Sequence, residues 1–180
     1  MKEIELRFKV KEVNELLKKV ENLGFALLFE KRQIDEYFKI KGLEVEGDVR
    51  GSFIYRLRND SVKGFSAVKK TTIEPGIWEE LEINVDKKNL DFIQTLMRDS
   101  LSSILTIDKN RSTFKKGAFT LNLDTIKNLG DFIEIELLDE NDYYEGKEKI
   151  AELILELGID GSNIIEDGYV TLIKKKNGLL

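Results

Sequence analysis

The sequence contains no histidine and no cysteine among its 180 residues. These two absences exclude a disulfide, a thiolate nucleophile, a zinc finger, an imidazole base and a Ser-His-Asp triad. Any bound metal must therefore be a hard cation held by oxygen ligands. Any proton transfer must use a carboxylate, a lysine, a tyrosine or water.

Long apolar runs and an excess of positive charge are also missing. No apolar stretch approaches about 18 residues and no basic, apolar leader opens the chain, so we expect a cytoplasmic protein that contacts no membrane. The formal net charge of -5 argues against general binding of nucleic acid, which needs a basic surface. Pro75 is the only proline and no linker interrupts the chain, which predicts a single domain over residues 1–180.

Alternating and helical spacings of apolar residues predict the order of the secondary structure. Strict alternation over 2–10 predicts a strand, and the spacing over 12–23, with Gly24 after it, predicts a helix. Further strands are expected at 26–40, 52–59, 64–72, 77–86, 102–115, 117–124 and 131–138. A second helix is expected at 88–99, a third between a cap at Asn141 or Asp142 and Gly158, and short helical pieces at 162–176. The fold class is therefore α+β, with an antiparallel sheet or barrel of about eight strands.

Pairs of like charges at positions i and i+2 recur on the predicted strands. The acidic pairs are Glu3 with Glu5, Glu80 with Glu82, and Glu134 with Glu136, and the basic pairs are Arg56 with Arg58 and Lys109 with Arg111. Lys69, Asp124 and Asp35 with Tyr37 add single polar groups.

Each pair alone is typical of the solvated face of a strand. However, the two signs occupy separate strands, whereas a surface selected for solubility intersperses them. Divalent cations on the acidic strands and a polyanion on the basic strands would relieve the repulsion, so a metal-bound polyphosphate fits both. The apolar residues that alternate with the charges would then face outward under the helices, and they include Ile4, Leu6, Leu57, Ile83, Leu123 and Ile135.

These motifs, taken in order, resemble the CYTH or triphosphate tunnel metalloenzyme family, which includes class IV adenylyl cyclases, thiamine triphosphatases and inorganic tripolyphosphatases. The family's N-terminal Glu-x-Glu-x-Lys is similar to Glu3-Ile4-Glu5-Leu6-Arg7. The later motifs follow in the family's order, and they are QIDEYF, YRLR, the Lys69 strand, EELE, DKNR, LNLDTIKNLGDFIEIE and the terminal GYVTLI. The resemblance implies an eight-stranded antiparallel β-barrel, the triphosphate tunnel, with helices packed on its outside.

The resemblance also implies a role for each charged group in binding a triphosphate with Mg²⁺ or Mn²⁺. The implied metal ligands are Glu3, Glu5, Glu134 and Glu136. The implied substrate-binding residues are Arg56, Arg58, Lys69, Lys109, Arg111 and Asp124. Glu80 and Glu82 would support a second metal or the attacking water, and Arg7 stands where the family has a lysine. Because a guanidinium stays protonated, Arg7 can act only electrostatically.

Three functions follow from this resemblance. The first is a metal-dependent triphosphatase acting on a small triphosphate, either inorganic tripolyphosphate or an organic or nucleoside triphosphate, as a monomer or homodimer. The second is a class IV adenylyl cyclase, and the third is a polyphosphate or nucleotide-binding module without turnover. Cyclisation needs contacts that orient the nucleoside, and no sequence feature predicts them. The cyclase subgroup's His-Phe-x-Gly lead-in is absent as well, so hydrolysis is favoured.

Overall fold

The structure is a computed structural model that describes residues 3–47, 49–74, 77–138 and 143–179. Its strands are β1 Glu3–Val10, β2 Ala26–Ile40, β3 Phe53–Asp60, β4 Gly64–Glu74, β5 Ile77–Val85, β6 Leu101–Lys116, β7 Phe119–Ile126, β8 Gly130–Leu138 and β9 Ile164–Ile165. Its helices are α1 Val13–Asn22, α2 Leu90–Ser100, α3 Tyr143–Glu156 and α4 Tyr169–Lys176. The predicted α+β class with an antiparallel sheet is confirmed. No helix of the described part of the chain is both long and apolar enough to cross a membrane.

The structure differs from the predicted elements near the end of the chain. The end of the chain holds a short strand, β9, where helical pieces alone were predicted, because Ile164 and Ile165 pair with Phe8 and Arg7 of β1. Pairing with a distant strand has overridden the local pattern there. The predicted cap of the third helix, at Asn141 or Asp142, lies outside the described residues.

The chain divides into two compact units, and the first comprises residues 1–30 and 110–166. Its strand order is β6-β7-β8-β1-β9. Register pairs Glu5 with Glu136 and Arg7 with Glu134, so these four side chains share one face of the sheet. The opposite face is apolar and packs with α1 and α3 into one core, whose most buried members include Phe8, Val20, Leu121, Ile133, Ile135, Ile150 and Leu157. Burial of the apolar face sets the orientation of these strands, and the alternating charged side chains therefore lie on the opposite face.

The second unit comprises residues 31–109 and 167–180. Its strand order is β5-β4-β3-β2-β6, and Phe38, Leu57 and Val85 are buried. The expectation that a helix covers Ile83 is wrong, because this side chain is 63% exposed. Of the α-helices in this unit, α2 has no buried residue, whereas α4 buries Tyr169, Thr171 and Lys174.

Candidate active site

Three carboxylates of the first unit converge on the charged face of its sheet. One oxygen each from Glu5, Glu134 and Glu136 lies within 4.8 Å of the others. Glu5 and Glu136 are directly opposite each other on β1 and β8, and Glu134 follows two residues before Glu136. We call these three residues the carboxylate cluster. Its donors are all oxygen, which is the set that a hard divalent cation requires. The side chain of Glu3, the fourth predicted ligand, lies outside the described residues.

Arg7 lies inside the carboxylate cluster. Its Nη2 donates to Glu134 Oε1 at 2.6 Å and to Glu5 Oε1 at 2.7 Å, and its Nε donates to Glu134 Oε1 at 2.9 Å. Both Arg7 and Glu134 have side chains only 5% exposed, so the pair is removed from water. The departure from the family's lysine therefore places a guanidinium directly on two of the predicted ligands.

Arg111 and Asp124 form a second ion pair beside the cluster. Arg111 donates from Nε and Nη2 to the two oxygens of Asp124 at 2.6 and 2.5 Å, and its Nη2 also contacts Glu134 Oε2. Asp124 is fully buried. Asp124 therefore holds the guanidinium of Arg111 in place.

Two polar residues that the sequence did not single out position Glu136. Asn122 Nδ2 donates to Glu136 Oε1 at 2.6 Å, and Thr113 Oγ1 donates to Asn122 Oδ1 at 2.7 Å. Asn122 and Thr113 are both 4% exposed. The sequence does predict the face on which Asn122 lies, because Asn122 is two residues before Asp124 on the same strand and side chains alternate between the two faces.

The second unit carries a basic face built on β3. Arg58 donates from Nε and Nη2 to the two carboxylate oxygens of Asp35, each at 2.7 Å. Burial alone would raise the pKa of Asp35, but the hydrogen bonds and charge of Arg58, with the charges of Arg56 and Lys109, lower it below its ordinary value. Asp35 is therefore a carboxylate that fixes Arg58 in a bidentate geometry.

Arg56 lies on the same face, beside Tyr37 and Glu80. Its Nη2 is 3.3 Å from Glu80 Oε2, and it also hydrogen-bonds the Tyr37 side chain. Burial, together with the charge of Asp35, raises the pKa of Tyr37 to about 12, so its hydroxyl stays neutral. Arg56 is 7% exposed, and its Nε has no hydrogen-bond partner among the described residues. A buried donor left unsatisfied costs about 1–3 kcal/mol, so this guanidinium lowers the stability of the fold in the state described.

The lysine that joins this face is Lys70. Register pairs Arg56 with Val68 and Ile54 with Lys70, so the alternation of β4 places Lys70 on the face of Arg56. Its Nζ is 2.9 Å from Glu80 Oε1. Lys69, the predicted phosphate ligand, lies on the opposite face, with its Nζ 4.7 Å from the ring centroid of Phe53. The register therefore places Lys70, and not the predicted Lys69, on the face of Arg56.

The two glutamates of β5 differ in their surroundings. Burial raises the pKa of Glu80, but Lys70 and Arg56 outweigh it and lower the pKa to about 2. Glu82 is exposed and lines a cavity of about 540 Å³ in the second unit. The other residues of this cavity are Lys31, Arg58, Asp60, Lys63, Ser66 and Asn84.

Lys109 belongs to the second unit as well. It is 4% exposed, and its Nζ is 5.3 Å from the ring centroid of Tyr169. Its charge reaches Asp35, which places it near Arg58.

The structure thus groups the predicted site residues by unit. The first unit brings together Glu5, Arg7, Arg111, Asp124, Glu134 and Glu136. The second unit brings Arg56, Arg58 and Lys109 around Asp35, pairs Glu80 with Arg56, and places Glu82 with Arg58 in the cavity wall.

Comparison with known proteins gives consistent matches along the chain. The family described as the CYTH domain matches residues 1–169. A Methanocaldococcus jannaschii protein named "Putative adenylate cyclase MJ0240" is 27% identical over 177 residues, covering 96% of this chain and 98% of its own.

Solved structures share the fold. The PH1012 protein from Pyrococcus horikoshii OT3 superposes with a TM-score of 0.80 at 24% identity, over 94% of this chain and 98% of that chain. HpAC1 from Hippeastrum, whose structure is described as revealing a dominant triphosphatase activity, has a TM-score of 0.66 at 18% identity. That match covers 99% of this chain and 96% of the other.

Proposed function

Since this chain belongs to the CYTH domain family, we propose that it is a metal-dependent triphosphatase that hydrolyses inorganic tripolyphosphate or an organic triphosphate. The observation that carries the proposal is the carboxylate cluster, because three converging carboxylate oxygens are the kind of donor set that a hard divalent cation binds. The arginines of the second unit support a polyanionic substrate, since a guanidinium fork matches phosphate oxygens.

The donor set of the cluster fits Mg²⁺ or Mn²⁺. Glu5, Glu134 and Glu136 would hold the cation, and Asn122 would keep Glu136 oriented toward it. When bound, the cation would neutralise charge on the phosphoryl oxygens and orient them. Glu3 remains a predicted fourth ligand.

The basic residues of the second unit would hold the phosphate chain. Arg56 and Arg58 would contact phosphate oxygens through their guanidinium groups, while Asp35 keeps the plane of Arg58 fixed. Lys70 takes the role first predicted for Lys69, since it shares the face of Arg56. Lys109 would add a further buried positive charge. In the first unit, Arg111 would supply the corresponding guanidinium.

The reaction is the transfer of a phosphoryl group to water. The water oxygen forms a bond to the terminal phosphorus while the bond to the bridging oxygen breaks, giving phosphate and diphosphate, and one water proton leaves. Catalysis then rests on positioning and charge neutralisation. Glu80 is a poor base because Lys70 and Arg56 keep its pKa near 2, whereas Glu82 has no such ion pair among the described residues. Of the two, Glu82 is the better candidate to orient the water.

A product assay tests this function. Purified protein with Mg²⁺ or Mn²⁺ is incubated separately with tripolyphosphate and with ATP, and the products are resolved by chromatography. We expect phosphate release from tripolyphosphate to be faster than from ATP, with little or no cyclic AMP. Glu134→Gln should lower turnover by about 10- to 100-fold or more, as for disturbed metal sites, and Glu152→Gln on α3 should not.

The same assay distinguishes the alternatives. Cyclic AMP and diphosphate as the main products of ATP, with tripolyphosphate left intact, would assign the cyclase reaction suggested by the name of the Methanocaldococcus jannaschii relative. Binding of tripolyphosphate with no product at all would assign a binding module.

A further inference from the structure

Arg7 contacts two of the three carboxylates that would hold a cation in the carboxylate cluster. Its Nη2 lies between Glu5 Oε1 and Glu134 Oε1, at 2.7 and 2.6 Å. Glu134 Oε1 receives a second hydrogen bond from Nε at 2.9 Å, and its Oε2 contacts Arg111. The guanidinium therefore links two of the three carboxylates of the cluster.

A divalent cation that took Glu5 Oε1 and Glu134 Oε1 as ligands would have to share them with this guanidinium. Mg²⁺ binds oxygen at about 2.0–2.1 Å in a near-ideal octahedron, so a cation held by the same two oxygens would lie close to the nitrogen that contacts both of them. The two are also like charges, and their repulsion is strong where water is largely excluded. Arg7 cannot relieve it by losing its proton.

The charges of the groups in contact here favour a cation at the position of Arg7. Glu5, Glu134, Glu136 and Asp124 are four acidic groups, and Arg7 and Arg111 are the two guanidinium groups that contact them in the ion pairs described above. Removal of Arg7 without replacement would take away one of these two positive charges. A cation that displaces Arg7 would restore the balance that the guanidinium otherwise provides.

We propose that Arg7 is an internal counter-ion that competes with the divalent cation for Glu5 and Glu134 and thereby sets the affinity of the site for metal. This inference rests on the metal site of the proposed function. Metal binding is then coupled to movement of the guanidinium away from Glu5 and Glu134. A lysine at this position, with one nitrogen in place of a planar fork, would hold the two carboxylates less firmly.

The test is a calorimetric titration of the metal-free full-length protein with Mn²⁺, without substrate. Arg7→Lys should bind Mn²⁺ more tightly than wild type, on the order of 10- to 100-fold, because a lysine gives up the hydrogen bond from Nε to Glu134 that the cation would otherwise have to break. The matched control is Arg32→Lys, because Arg32 also forms a two-bond pair with a carboxylate, Asp108, but is 58% exposed and outside the cluster. It should bind Mn²⁺ as wild type does.

A second measurement uses the wild-type chain alone, in case Arg7→Lys does not fold. The Nε–H resonance of Arg7, followed by nitrogen-15 NMR, should exchange slowly with water in the metal-free protein. Titration with diamagnetic Mg²⁺ should shift it and speed its exchange.

Three outcomes would count against the proposal. Equal affinity of wild type and Arg7→Lys, or an Nε–H resonance unmoved at saturating Mg²⁺, overturns the competition while leaving the metal site intact. Absence of metal binding in every variant overturns the metal site itself, and the competition with it. Turnover of tripolyphosphate is measured separately, so failure of the proposed reaction is not confused with either result.

Discussion

Replacement of Arg58 by alanine tests the ion pair on which the basic face is built. Asp35 is fully buried and accepts two hydrogen bonds of 2.7 Å from Arg58. In the variant, the Asp35 carboxylate stays buried without its hydrogen-bonded partner, and the more distant charges of Arg56 and Lys109 stabilise it less. Breaking a buried pair by removing one partner costs about 3–5 kcal/mol, and we expect Arg58→Ala to fall in this range at neutral pH.

The loss should depend on pH. Arg58 is among the groups that hold the pKa of Asp35 below its ordinary value, so the pair stabilises the wild type above about pH 4 and less as pH falls below it. Without Arg58, burial shifts the pKa of Asp35 upward, and protonation then relieves the buried charge. The difference in unfolding free energy between wild type and variant should therefore shrink as pH falls from 7 toward 4.

Urea unfolding at several pH values measures both effects. Arg32→Ala is the control, because it breaks an exposed ion pair, which contributes little to stability. Asp35→Asn combined with Arg58→Ala removes the orphaned charge and should recover part of the loss. A cost for Arg58→Ala no greater than that for Arg32→Ala, with no dependence on pH, would refute the reasoning.

Three further predictions concern the faces of the strands. Lys70→Ala should reduce the thermal stabilisation by tripolyphosphate, which is roughly 2.7 kcal/mol at 100 times the dissociation constant for a ligand of the native state, and Lys69→Ala should not; equal shifts would contradict the register argument. Between about pH 5 and pH 2, the free energy of unfolding of Glu80→Gln should fall less than that of wild type, because the ionised Glu80, whose pKa is lowered to about 2, loses its stabilising contribution as it is protonated. The same dependence of melting temperature on pH in both proteins would contradict this. Ile135→Ala, at a fully buried position, should cost about 2–5 kcal/mol in urea unfolding, and a smaller loss would contradict its place in the core.

Most strands and helices were predictable because their apolar residues recur with the spacing of a strand or a helix. Ile4 and Phe8 alternate with charged residues along β1, and burial of the apolar face selects the strand and its orientation. The short strand β9 was missed because two residues carry no periodicity of their own. This strand forms by pairing with β1, and pairing with a strand far away in the sequence cannot be predicted from the local pattern of residues.

The candidate site was predictable to the level of strands, and less so to the level of faces. Lys69 and Lys70 are adjacent, and only the register of β3 with β4 decides which one shares the face of Arg56. The position of Arg7 was predicted, but its bonds to Glu5 and Glu134 were not, because they depend on the pairing of β1 with β8. Sequence identifies the charged groups, and the register decides which of them meet.

The source of the oxygen in the products tests the central claim, hydrolysis, most directly. Tripolyphosphate and ATP are each incubated with the protein and Mg²⁺ in water enriched in oxygen-18, and the products are examined by phosphorus-31 NMR. Attack by water predicts phosphate that carries one solvent oxygen from either substrate, with ADP as the second product of ATP. Cyclic AMP with diphosphate, neither containing a solvent oxygen, together with unreacted tripolyphosphate, would contradict the account.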